Sequence, residues 1–279
     1  MLENKARIKF KLFLLLKYYF IIQSVFLSSF SFASDEVLKK AEAYFNLKEM
    51  RGDAAFFVYQ GAKLRNIPIV LKPLTSMLMR RDQFPFNLEF KLWAEKYSDF
   101  SIPRQNVFLS LDRTVDVSNS TYLRNKSQVS QKEWSEMMGV VMGVMALTFE
   151  CSSDRLRKMT PSHEYIAAHQ LFSYIYARVK GCLNNAEFKK LHYPYARRVY
   201  TELLQSGFVL SDLQVERIAL LCMSGHCDSV PDKYFSLMIS RQLDNGLWQL
   251  KDNIVPKKIP YEHASAMAYY ALSRKKSGK

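Results

Sequence analysis

No catalytic signature stands in this sequence. It has no Gly-x-Ser-x-Gly elbow, no His-Glu-x-x-His helix and no phosphate-binding glycine loop. It also lacks a basic stripe with interleaved aromatics or a known reading motif, which argues against nucleic acid as a partner. Its positive charges lie scattered in short clusters at Arg80-Arg81, Arg155 to Lys158, Arg197-Arg198 and Lys275-Lys276. No pair of strands stands out along the chain. Disorder is excluded by composition, because hydrophobic residues make up 48% and aromatics 14% of the 279 residues, ample for a packed core.

The first 33 residues differ from the rest. Lys5, Arg7, Lys9 and Lys11 form a basic start. An apolar run from Leu12 to Phe32 follows, broken by Lys17 and Gln23, and Ser31-Phe32-Ala33 ends it with small residues where a signal peptidase inspects the chain. This is the order of a secretory signal over residues 1–33. The rival is an uncleaved anchor, since a membrane span needs ~20 residues. Lys17 near the middle of the run and its serine-rich end favour cleavage. The expected location is therefore secreted or periplasmic. The segment holds five basic residues and one acid, net +4, so +10 of the total +14 stays with the mature chain. For an exported basic protein, an anionic glycan or a membrane surface is the partner to expect, beside the plainer reading of a solvated surface.

Helix signals dominate what remains, giving an all-α expectation over a single domain, 34–279. Segments 35–50, 53–65, 69–81 and 86–98 read as N-terminal helices, separated by Gly52, Pro68 and Pro85. Residues 100–129 are polar and without helical period, a long loop or linker. Asn119 and Asn125 there fit glycosylation acceptors in a eukaryotic host. The main hairpins, 130–279, begin with the capping box Ser130-Gln131-Lys132-Glu133 before a run to Phe149 that is uncharged from Met137. Thr160 and Pro161 start the next helix, which Gly181 stops. Further helices run from Ala186 to Gln205, from Ser211 to Gly225, from near Pro231 to before Asp244, and from near Glu262 to the end of the fold. One echo crosses this half. His169 and His263 are each followed seven residues later by Tyr-Ala, and they lie 94 residues apart, close to two hairpins of ~45 residues.

Alternating helix directions carry the argument to a functional face. If the helix from Thr160 starts at the top of a bundle, the top gathers His163, His169, Asp244, Trp248, Glu262 and His263. Imidazoles and carboxylates together do acid–base work or bind metal. The alternative is that His169 and His263 are core residues bonded to backbone, and that Asp244 and Glu262 cap helices or face water. His163 and Trp248 are weaker candidates for ligand binding. The same directions put Cys182 and Cys222 together at the bottom, so the expected disulfide is Cys182–Cys222, with Cys227 second choice for Cys182 and Cys151 unpaired. Cys222, His226 and Cys227 have ligand chemistry, but not at a zinc-finger spacing, and an exported chain favours a disulfide; no metal or cofactor is expected.

Four stretches between Arg155 and Leu272 carry a resemblance. They are Met159-Thr160 with Tyr165 and Ala168-His169-Gln170; Ala177-Arg178-Val179-Lys180-Gly181-Cys182; Cys222-Met223-Ser224-Gly225; and Gly246 with His263-Ala264-Ser265-Ala266. This ordered set resembles a secreted family of unassigned function typified by human chromosome-16 open reading frame 89. It covers under half the chain, and Cys227 and Trp248 depart from its pattern. The resemblance implies secretion and no established activity. Gln242-Leu243-Asp244-Asn245-Gly246-Leu247-Trp248, with His263 to Ala266 and Ala271-Leu272, is similar to the turn and inner helix of terpene-cyclase and prenyltransferase-type α/α-toroids. That likeness implies helical hairpins arranged as a toroid or partial toroid, and it says nothing of chemistry, because toroids host hydrolases, lyases, cyclases and binders alike. The functional expectation is a non-catalytic binding protein for a glycan, peptide or lipid. The alternative is an α/α-toroid enzyme acting on a polysaccharide or cell-envelope glycan, with Asp244, Glu262, His169 and His263 in its cleft.

Overall fold

The computed structural model describes residues 34–46, 49–50, 52–68, 72–73, 102, 105, 109–111, 156–157, 159–161, 164–250 and 262–278. The described part is helical. We number its helices α1 over 34–45, α2 Gly52–Leu64, α3 Glu164–Val179, α4 Asn185–Gln205, α5 Asp212–Met223, α6 Asp232–Ser240 and α7 Glu262–Ser277. A 3-10 turn, Cys227–Ser229, follows α5. The signal segment, the helices expected over 86–98 and 130–149, most of the 100–129 loop, Asn119 and Asn125 lie outside the described residues.

Two expectations in the N-terminal part need correction. The helix expected over 35–50 ends at 45, and Glu49–Met50 is extended. It pairs in parallel with Lys72–Pro73, inside the helix expected over 69–81. Pro73 supplies the reason, since it brings no amide hydrogen to a helix and biases the residue before it toward extended backbone.

Caps and glycines set the C-terminal boundaries. Asn184 and Glu187 form a reciprocal capping box at the start of α4. The Ser211 side chain accepts from Gln214 N at 3.2 Å to open α5. Helix α3 begins at Glu164, after the expected Thr160-Pro161, because its cap comes from another helix. Both carboxylate oxygens of Glu202 in α4 accept from Glu164 N, at 2.9 and 3.0 Å.

Helices α5 and α7 form the centre. Every residue from Leu213 to Met223 and from Ala264 to Arg274 is buried, the mark of a helix enclosed on all sides. The small residues Ala264, Ala266, Ala268 and Ala271 let neighbours approach α7 closely. Gly61 of α2 lies so near the Tyr269 ring that an added Cβ would sit 2.7 Å from it.

Helices α2, α3, α5 and α7 point the same way. Phe57 lies against His263 and Tyr270, while Gly61, one turn on, faces Tyr269 and Ser273, so α2 runs parallel to α7. At the starts of α3, α5 and α7, His169, Glu216 and His263 interact. At the far ends, Gly225 O accepts from Gln105 N and Ile102 O accepts from Arg274. Phe56 meets Phe172 across α2 and α3, with ring centroids 6.5 Å apart. Helices α4 and α6 complete the layer outside, tied by Tyr234 Oη donating to Leu203 O. Helix α1 closes on α7 through Tyr269 Oη donating to Glu42, and on the α6–α7 loop through Gln242 Nε2 donating to Val37 O.

The disulfide differs from expectation. Cys222 bonds to Cys227, and their Cα atoms are 3.9 Å apart. Cys182 is also disulfide-bonded, so its partner is not Cys222. Gly225, at φ +88°, reverses the chain just past α5 and returns Cys227 to the last turn of that helix. A five-residue closure needs no second helix to be correctly placed. Non-reducing peptide mapping is expected to release a Cys222–Cys227 peptide; Cys151, expected unpaired, lies outside the described residues. A Cys182–Cys222 peptide would contradict the fold described here.

Candidate functional site

The common N-terminal end of α3, α5 and α7 carries the chemistry, and a buried ion pair holds that end together. Glu202 is 1% exposed and Arg217 3%. Arg217 Nη2 donates to Glu202 Oε2 at 2.7 Å, and the same carboxylate caps Glu164. Glu164 itself sits at φ +54°, left-handed backbone that is uncommon outside glycine. Three helices therefore meet at one carboxylate.

Beside this clamp lie His169, Glu216 and His263. His169 Nδ1 is 3.0 Å from Tyr165 O and 3.2 Å from Glu216 Oε1. A carbonyl only accepts, so Nδ1 carries the proton and Nε2 is the basic nitrogen. The Glu216 side chain is 4% exposed and that of His169 21%, which places the carboxyl deeper than the imidazole. Glu216 Oε2 is buried with no hydrogen-bond partner among the described residues. Burial pushes the Glu216 carboxyl up to about 8, with Asp212 adding to the rise and His263 and Arg217 opposing it. Burial also pushes the His169 imidazole down to about 4, with the His263 charge adding to the fall. Near neutral pH the pair therefore holds a protonated carboxyl beside a neutral imidazole. Aromatic rings flank both histidines. Tyr165 lies over His169 at 4.0 Å between centroids, and Phe57 stands edge-on to His263 at 6.4 Å.

These shifts give a pH dependence of stability. Glu216 is raised above its ordinary value of 4.5, so its contribution is complete below about 4.5 and lost as pH rises through about 8. His169 and the buried His192 are both lowered from 6.5 to about 4, chiefly by burial, so their contributions are complete above about 6.5 and lost as pH falls through about 4. For His192, 1% exposed, the acid loss is on the order of 3 kcal/mol. The melting temperature is expected to fall on both sides of a mildly acidic optimum. Glu216→Gln should remove the decline between pH 6.5 and 8. An unchanged alkaline decline in that variant would show that Glu216 is not held neutral.

The other sequence candidates fall elsewhere. The Asp244 side chain is fully exposed, 4.0 Å from Lys40 Nζ of α1. Glu262 Oε1 accepts from Tyr44 Oη at 3.1 Å. Trp248 is wholly buried, its Nε1 donating to Met238 O at 2.8 Å, so it is a core residue. His163 lies outside the described residues. The cysteines beside His226 are consumed in the disulfide, and His226 Nε2 instead meets His192 Nε2 at 3.0 Å. Among the described residues, no group of three His, Cys, Asp or Glu is placed to hold a metal ion, and no helix is long and apolar enough to cross a membrane.

Glu216 is not among the residues that the sequence singles out. Its signal was present, because Glu216-Arg217 interrupts a stretch from Leu213 to Met223 that is otherwise apolar apart from Gln214. A helix with apolar residues on every side has no solvent face for charges, so charges there must find partners inside.

No family model, curated protein or solved structure matches the chain. The site's own geometry therefore carries the functional reading.

Proposed function

We propose that this chain is an exported helical binding protein, built as a partial α/α-toroid, whose His169–Glu216–His263 end takes a polar ligand, a glycan before a peptide or lipid. The observation that carries this reading is the unpartnered, buried Glu216 Oε2 beside the partly exposed His169 imidazole, where like-directed helices begin together. A protonated carboxyl and a basic imidazole nitrogen offer a donor and an acceptor side by side, which is what sugar hydroxyls need. Tyr165, partly exposed over His169, adds an apolar face for sugar C–H groups. The +10 charge of residues 34–279 favours an acidic glycan. The basic, apolar and small-residue order of residues 1–33 supports export, as does the resemblance of Arg155–Leu272 to a secreted family.

The test is a glycan array followed by calorimetric titration of the protein purified from an exporting host. His169→Ala and His263→Ala are each expected to weaken the best ligand at least tenfold. His169→Ala should also cost ~1–3 kcal/mol of stability, because Glu216 loses its neighbour. Undiminished binding in both variants would remove the site from consideration.

One observation favours catalysis as a second reading. A carboxyl held protonated beside an imidazole held neutral is an acid and base pair with separated pKa values. The enzyme would then act through Glu216, since Asp244 and Glu262 are engaged with Lys40 and Tyr44. Mass spectrometry of the bound glycan after incubation separates turnover from binding.

A further inference from the structure

The two ring nitrogens of His169 have different surroundings. Nδ1 lies 3.0 Å from Tyr165 O and 3.2 Å from Glu216 Oε1, and the carbonyl fixes the proton there. Nε2 bonds to no described residue and is not enclosed, in a side chain that is 21% exposed. The nitrogen a ligand can reach is therefore Nε2. This tautomer restricts what a ligand can place on the ring. A hydroxyl can donate to the Nε2 lone pair as it stands. A carboxylate cannot, because it only accepts, and two lone pairs would face each other. An acidic group settles on Nε2 only once that nitrogen carries a proton, and the contact is then a charge-assisted hydrogen bond. The protonated ring keeps its Nδ1 contacts, since that nitrogen already donates.

The charges around the ring decide whether that proton precedes the ligand or arrives with it. On α3 itself, burial lowers His169 to about 4, against the pull of Tyr165 O. On α7, the charge of His263 adds to the fall. On α5, Glu216 lies beside Nδ1, and burial keeps its carboxyl protonated up to about 8, with Asp212 adding to that rise and Arg217 opposing it. On α4, Glu202 is already paired with Arg217. Helix α2 brings Phe56 and Phe57, which carry no charge. No carboxylate thus stands ready to hold a charged His169 near neutral pH. A carboxylate on the ligand is that missing counter-charge, and an opposite charge in contact favours the protonated ring. The same negative charge disfavours ionisation of Glu216, so the proton comes from solvent.

We infer that His169 Nε2 captures the carboxylate of an acidic sugar, and that the carboxylate bound there brings one proton with it. The inference rests on the glycan reading above and adds to it the charge of the ligand and a control by pH. The sign follows from linkage. The bound ring holds its proton to higher pH than the free ring, so affinity rises as pH falls from 7, and the gain ends where the free ring itself takes up a proton, near 4.

The test is calorimetric titration of the full protein with trigalacturonate and with its methyl ester, which keeps the sugar and removes the charge, at pH 7, 6 and 5. Carboxylates of this kind stay ionised over that range. Trigalacturonate is expected to bind about tenfold tighter or more at pH 5 than at pH 7, and the ester equally at both. Repeating the pH 6 titration in two buffers of different ionisation heat should show net proton uptake with trigalacturonate and none with the ester. His169→Gln, whose amide cannot titrate, should bind trigalacturonate equally at pH 5 and pH 7. An affinity that does not rise with acid, or a rise that survives in His169→Gln, would overturn the inference. The comparison of trigalacturonate with its ester in the unaltered protein decides the matter if His169→Gln does not fold. Binding of the ester without trigalacturonate overturns the inference and leaves the glycan reading standing. If neither binds, the inference falls, and the glycan array alone decides the reading.

Discussion

Glu202→Ala is expected to destabilise the protein by about 3–5 kcal/mol, a large share of the 5–15 kcal/mol that holds a typical domain. The substitution leaves Arg217 buried at 3% exposure, with Ser206 Oγ at 3.3 Å as its remaining polar contact among those described for its Nη atoms. It also removes both acceptors of Glu164 N, and with them the cap that holds Glu164 in left-handed backbone at the start of α3. Urea unfolding measures the loss. The double variant Glu202→Leu with Arg217→Met should be milder than either single change, because it removes the stranded charge together with its partner. If Glu202→Ala costs less than about 1 kcal/mol, the carboxylate is not the clamp described here.

Trp248→Ala is expected to cost about 3–5 kcal/mol through lost burial and the cavity left behind. Trp248 is wholly enclosed; its indole donates to Met238 O, and its backbone amide donates to Ser265 Oγ at 3.0 Å, joining the loop after α6 to α7. Trp248→Phe keeps much of the packing and leaves Met238 O without the indole, so an intermediate loss of ~1–3 kcal/mol is expected. Both losses appear in calorimetric unfolding. A Trp248→Ala protein of normal stability that no longer bound ligand would return this residue to the binding face.

The same residues show how far sequence reaches. Periodicity and helix direction placed His169 and His263 at one end of the bundle from positions 94 residues apart, and the structure brings them into interaction there. Cap and stop signals at Ser211, Gly181, Gly207 and Gly225 are local chemistry, and they bound the helices close to where they end. Lateral position is another matter. Helix direction says at which level along an axis a residue sits, and not which neighbour it faces. Cys182 and Cys222 share a level, yet Cys222 closes on Cys227 through the turn at Gly225. Asp244 was assigned to the same end as the histidines, but its loop turns outward toward Lys40, and Gly246 packs so close to α1 that a Cβ would lie 2.4 Å from Lys40 O. Glu216 escaped notice because a charged residue reads as solvent-facing until its helix is known to be enclosed.

The most direct test of the functional account is to follow the histidine ring signals by NMR while the best-binding glycan is titrated. The protein has five histidines. His192 is 1% and His226 2% exposed, and the two are stacked on each other away from the proposed site, so they serve as an internal control. The account predicts saturable shifts of His169 and His263 together, with the His192 and His226 signals unmoved. Saturable binding that leaves His169 and His263 unmoved would contradict it.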